Sequence, residues 1–380
     1  MRKSLPASLR LWAGVRLAVA LAAITTFSYA ADKGDLAAAP APRNMEPTYA
    51  IQVGLDGEIF PVFAHQAALQ KPTARTWGTV AVKVTNSSDT PLRQRITVHV
   101  PGWSDQEIQS AEMSAGEVHT FLFAPAFFAR LYQNRELTSA TVVVEVRDKG
   151  GRVVFSQATP VRLRAADDML WGKDFKFAPF IASWVTPHDE VVEQVLTEAK
   201  ELMPGRRLPG YEEWKSAGDQ EKSTFNQAKA IYRALQKLGL SYVKSSTNFG
   251  SNEMTQRIRM PHESLKQASA NCIDGAVMYA SMFENLGMDA QIVLIPGHAY
   301  VGVRSSQNGN KYLYFDTVLT GRNEDFEASV HAAEKGLSDR PATEINRIDV
   351  DESRRAGIFP MQEGVPILHP AGTTSAARLK

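Results

Sequence analysis

The sequence predicts an α+β chain in two parts, a β-sandwich followed by a domain in which one helix packs on an antiparallel sheet. Three observations carry this. Between Tyr49 and Arg164 apolar residues recur with a period of two; from Thr186 they recur at helical spacing; after Gly287 the period of two returns. The chain's 380 residues, 44% hydrophobic and 22% charged, suffice for two cores and exclude a disordered or fibrous protein.

Residues 1–30 read as a signal peptide. Arg2, Lys3 and Arg10 form a basic start, Leu17 to Phe27 is an uncharged apolar run too short to span a bilayer, and Ser28-Tyr29-Ala30 is a small-x-small cleavage site. The mature chain is therefore expected in the periplasm or outside the cell, with no membrane span. Four of the 42 basic residues lie in that segment and none of the 41 acidic ones, which leaves 38 against 41 and a net charge of about −3. Nucleic acid is not an expected partner. Residues 31–48, rich in Ala and Pro, read as a linker.

The sandwich is placed at 49–164. Val80, Val82 and Val84 alternate with smaller or polar residues, as do Ile96, Val98 and Val100, and Thr141–Val146 and Arg152–Gln157 add two further strands. Turn signals fall at Asn86, Ser114 and Asp148. Short strands at this spacing, with almost no helical period, predict an immunoglobulin-like sandwich. An aromatic connector spans 165–185.

In the second domain, placed at 186–361, Thr186 as N-cap with Pro187 and Asp189 predicts a helix with Val191, Val192, Val195, Leu196, Ala199 and Leu202 on its apolar face. A second helix is predicted from about Ser223 to Leu238 and a short strand at Leu240. The stretch SSTNFGSNEMTQ reads as loop, and a short helix begins at Pro261. The next helix carries Ile273, Ala276, Val277, Ala280, Phe283 and Leu286 on one face and ends at Gly287. Strands follow at Ala290–Ile295, His298–Val303 and Lys311–Val318, and 362–380 reads as a tail.

Cys272, the chain's only cysteine, opens the fourth of these helices. Asn271 is an N-cap type and Asp274 stands where a capping-box acid reaches back. A thiol at the positive end of a helix is placed to ionise. An unpaired cysteine in an oxidising compartment calls for a reason, although an inert buried thiol is the plain alternative. A cysteine nucleophile needs a base and a group that orients it. His298, 26 residues on, opens a strand, and Asp316, 18 residues further, lies on the next. A helix packed on adjacent antiparallel strands can bring the three together. Asn271, Gln256 and Asp274 are candidates for oxyanion binding or site support. No Gly-rich phosphate loop, HExxH, paired cysteines or EF-hand loop occurs, so neither cofactor nor metal is expected.

The runs NCIDGAVMYAS around Cys272, PGHAYVGV around His298 and YLYFDT around Asp316, with MPHESL before the cysteine, resemble the transglutaminase-like superfamily. The resemblance covers residues 186–321. It implies a papain-type α+β fold and a Cys272–His298–Asp316 triad that forms a thioester from an amide or peptide. Water would then make the chain a cysteine peptidase or amidase, and an amine would make it an acyltransferase. The substrates implied are proteins or peptides, cell-envelope peptides included. Many members carry Trp two residues after the histidine, where this chain has Tyr300. The alternative is a catalytically silent module of the same fold that binds or assembles.

Overall fold

The computed structural model describes residues 46–212, 216–244, 247–249 and 254–361. The signal peptide, most of the expected linker and the tail lie outside them. Helices and strands are mixed as an α+β chain, and the described residues divide into two compact units, 46–166 and 167–361.

The first unit contains two sheets. Its strands are β1 (Thr48–Val53), β2 (Glu58–Ile59), β3 (Val80–Thr85), β4 (Leu92–His99), β5 (Glu107–Met113), β6 (Val118–Phe123), β7 (Thr138–Asp148) and β8 (Val153–Leu163). They are ordered β1-β3-β6 and β2-β8-β7-β4-β5, antiparallel throughout except for the short parallel pair β2–β8. The alternation read from sequence is the burial pattern observed. Val80, Val82, Val84, Ile96, Val98, Val142, Val144 and Val146 are all buried while their neighbours are more exposed.

Asn86 holds its turn by donating from Nδ2 to the carbonyls of Thr90 and Ser114. Helix α1 (Pro61–Leu69), in which Pro61 to Ala64, Gln66 and Ala67 are buried, falls where no helix is expected. A helix buried nearly all round has no polar stripe, so no amphipathic period marks it. The short helix α2 (Ala129–Tyr132) precedes β7.

The second unit begins with β9 (Asp168–Leu170), so the aromatic connector belongs to it. Trp171, Phe177, Phe180 and Trp184 are buried. Helix α3 (Glu190–Glu201) starts three residues later than expected, because the cap is Asp189, which accepts the Val191 N–H, and not Thr186. Val192, Val195, Leu196 and Ala199 form its buried face, whereas Leu202 is exposed.

Helix α4 (Ala217–Lys237) is longer than expected and capped by Ser216. After β10 (Ser241–Tyr242), part of the predicted loop is strand. β11 (Thr247–Phe249) and β12 (Met254–Arg257) pair with β9 in the order β11-β12-β9, a long-range pairing that local composition does not encode. Helix α5 (Pro261–Lys266) starts where Pro261 places it, and β13 (Ser269–Ala270) pairs with β10.

At the centre lies α6 (Cys272–Asn285). Every residue from Ile273 to Phe283 is buried, and not only the predicted face. It packs on β14 (Ala290–Ile295) and β15 (His298–Arg304) and also touches α3 and α5. The sheet runs β16-β15-β14-β17, all antiparallel, with β16 at Tyr312–Phe315 and β17 at Asn346–Asp349. The remaining helices are α7 (Val318–Gly321), α8 (Phe326–Ser338), which lies on β16, and α9 (Val350–Arg355). Among the described residues no helix is long and apolar enough to cross a membrane.

Candidate active site

Three local devices set the site. The first is the cap of α6. Asn271 Oδ1 accepts the N–H groups of Ile273 at 2.8 Å and Asp274 at 3.0 Å, and the Asp274 carboxylate reaches back to the Asn271 N–H at 3.3 Å. This closes the capping box and leaves Cys272, half-buried, as the first helical residue. Asp274 also accepts the Arg259 N–H at 2.9 Å and faces its guanidinium at 3.9 Å, so it fastens the segment before α5 to the start of α6. Burial pushes its carboxyl above the ordinary range, opposed by those N–H groups and the guanidinium.

The second device is the Pro296-Gly297 turn. Gly297 has φ +76°, the left-handed conformation that the third residue of a type II turn needs, and it ends β14 with Ile295 opposite His298. His298 therefore stands at the first position of β15.

The third is the end of β16. Val301 lies opposite Phe315, which puts Asp316 beside Tyr300, and His298 shares a face with Tyr300. The imidazole and carboxylate are diagonal neighbours across two strands. His298 Nε2 and Asp316 Oδ2 are 3.0 Å apart. Asp316 does not continue the strand as expected. Its Oδ1 accepts the Val318 N–H at 3.0 Å, which bends the chain into α7, while its own N–H and C=O bond to the Ser329 carbonyl and hydroxyl on α8. Phe315, next to it, is buried among Tyr232, Tyr279, Phe283 and Phe326, with Tyr279 edge-on at 4.8 Å. One aromatic cluster thus positions both the helix that carries Cys272 and the strand that ends at Asp316.

His298 joins the three residues. Asp316 bonds to Nε2, which leaves Nδ1 as the ring nitrogen able to serve a nucleophile, and Cys272 is the other side chain whose charge acts on the ring. Burial by itself lowers the pKa of the ring. The hydrogen bonds and charges of Asp316 and Cys272 outweigh it and raise the pKa to about 9. Tyr300 meets the ring edge-on at 4.8 Å, in the place where the resembled superfamily often has Trp.

Of the other candidates, Gln256 sits in β12 opposite Met169, and among the described residues it makes no hydrogen bond to Cys272, His298 or Asp316. Elsewhere in the second unit, His262 on α5 bonds to the cap residue Asp189 at 2.8 Å.

Two residues were missed by sequence reasoning. Thr317 Oγ1 donates to the Cys272 carbonyl at 3.2 Å, and its side chain rests against Gly275, where a Cβ would come within 2.5 Å of Oγ1 and 2.8 Å of Thr317 Cβ. A glycine inside a predicted helix, three residues after the cysteine, was the available signal. Gly275→Ala is expected to cost about 1–3 kcal/mol by overpacking and to displace the Asp316–Thr317 turn from Cys272. Urea unfolding together with the alkylation rate of Cys272 checks both effects.

Compared with protein-family models, with curated proteins and with solved structures, the chain finds no match in any of the three. The reading of the site therefore rests on its own geometry. Among the described residues no group of three or more His, Cys, Asp or Glu converges to hold a metal ion.

Proposed function

We propose that this chain is an exported cysteine-dependent acyl-transfer enzyme of transglutaminase-like type, with Cys272 as nucleophile, His298 as base and acid, and Asp316 as the residue that orients the imidazole. The observation that carries this is an imidazole bonded to a carboxylate and acted on electrostatically by the chain's only thiol, with that thiol at a helix start. A structural histidine needs no such partners.

In the proposed cycle the Cys272 thiolate attacks a peptide or side-chain amide carbonyl. Imidazolium His298 gives its proton to the leaving amine, and Asp316 stabilises the charged ring and fixes its orientation. The thioester left on Cys272 is resolved by water or by an amine. Hydrolysis is favoured because Cys272 is only partly buried and the His298 side chain is 25% exposed, so water reaches the site. In this reading the residues ahead of 46 belong to the signal peptide and linker, and the first unit is an immunoglobulin-like sandwich.

The test is to trap the acyl-enzyme. Wild-type protein mixed with p-nitrophenyl acetate and quenched in acid is expected to gain one acetyl group at Cys272, seen by peptide mass spectrometry, and Cys272→Ala is expected to gain none there. A wild-type thiol that stays unmodified would favour a silent binding module instead.

A further inference from the structure

The cap of α6 leaves two donors without acceptors. With Oδ1 bonded to Ile273 and Asp274, the Asn271 carboxamide has a fixed orientation, since reversing it would set its NH2 against two N–H groups. Its Nδ2 therefore stays a donor. Asn271 is only 5% exposed, and that nitrogen has no hydrogen-bond partner. Burying an unpaired amide NH2 is unfavourable, and capping does not require it, because Ser, Thr or Asp caps as well. The adjoining Cys272 N–H also has no acceptor among the described residues. Both unused donors thus belong to the two residues that open a 14-residue helix at its positive end, Cys272 being its first helical residue.

We propose that the Asn271 side-chain amide is an oxyanion donor that acts beside the Cys272 N–H. This rests on the acyl-transfer reading of the same site. When the thiolate attacks, the S–C bond forms and the carbonyl π pair moves onto oxygen, which becomes an anion with no counter-charge of its own. Asn271 Nδ2 and the Cys272 N–H donate to that oxygen. On collapse the pair returns to re-form C=O, the bond to the leaving group breaks, and a departing amine takes its proton from His298. The resting structure keeps the donors vacant for a charge that exists only during reaction, which is what selective stabilisation of a transition state requires.

The experiment compares wild type, Asn271→Ser and Asn271→Asp in two reactions of Cys272. Acylation by p-nitrophenyl acetate passes through an oxyanion. Alkylation by iodoacetamide displaces iodide at a tetrahedral carbon and does not. Both variants keep a capping oxygen and lose the NH2, and having two keeps the test usable if one fails to fold. Asn271→Ser is expected to acylate about 10²-fold more slowly than wild type while alkylating at an unchanged rate.

Equal acylation by wild type and a folded variant would overturn the proposal and leave the triad reading intact. So would a parallel fall of both rates, which marks a loosened cap. If wild type itself is not acylated at Cys272, the acyl-transfer reading fails and this proposal with it.

Discussion

Replacing His298 with alanine is expected to lower turnover at Cys272 by at least about 10⁴-fold, because in the proposed mechanism one ring activates the thiol and protonates the leaving amine. The loss depends on pH with a definite sign. In the folded protein the pKa of His298 is raised from 6.5 to about 9, so the ring keeps its proton across the neutral range. Turnover by wild type is expected to decline as pH rises through about 9, when the acid for the leaving group is lost. The same shift acts on stability. The imidazolium's contribution is fully present below pH 6.5 and is lost as pH rises through about 9. Between those values wild type should lose more stability to urea than His298→Ala does.

Asp316→Asn is the second large effect. Asn can keep Oδ1 on the Val318 N–H, where Asp316 accepts at 3.0 Å, so the turn into α7 survives. That orientation aims an NH2 at His298 Nε2, which now needs an acceptor at 3.0 Å. The ring must present a lone pair there and carry its proton on Nδ1, the nitrogen left for the sulfur. A neutral imidazole in that tautomer has no basic nitrogen facing the thiol. Turnover is expected to fall about 10³- to 10⁴-fold with little change in fold. The alkaline limb should also move to lower pH, because the bond and charge of Asp316 help to raise the pKa of the ring. Steady-state kinetics across pH, with circular dichroism as the control for folding, measures both. Unchanged turnover would remove Asp316 from the mechanism.

Much of this was readable because it is local. The capping box at Asn271 and Asp274, the start of α6 at Cys272, the Pro-Gly turn before His298 and the positions of β14 and β15 each depend on residues close in sequence, and the structure has all of them. The expected alternation along those two strands is absent, because both are buried on either face. The long-range parts were not visible. Ser329 brackets Asp316 from 13 residues away, and β17 joins the sheet beside β14 from more than 50 residues away; neither partner carries a local mark. Tyr, Phe and Val around Asp316 have strand propensity and predict it inside a strand. Its side-chain bond to Val318 ends the strand at Phe315 instead. Gln256 lies in a stretch whose composition predicts a loop, where any polar side chain is free to turn inwards. Strand pairing with Met169 fixes it elsewhere.

The central claim is that the imidazole and the thiol form one working pair. The rate of iodoacetamide alkylation at Cys272 against pH, in wild type and in His298→Ala, tests it most directly. Wild type is expected to be alkylated many-fold faster than His298→Ala at pH 6–7, where the charged imidazole favours the thiolate. Profiles that coincide, both following a free thiol or both inert, would contradict it.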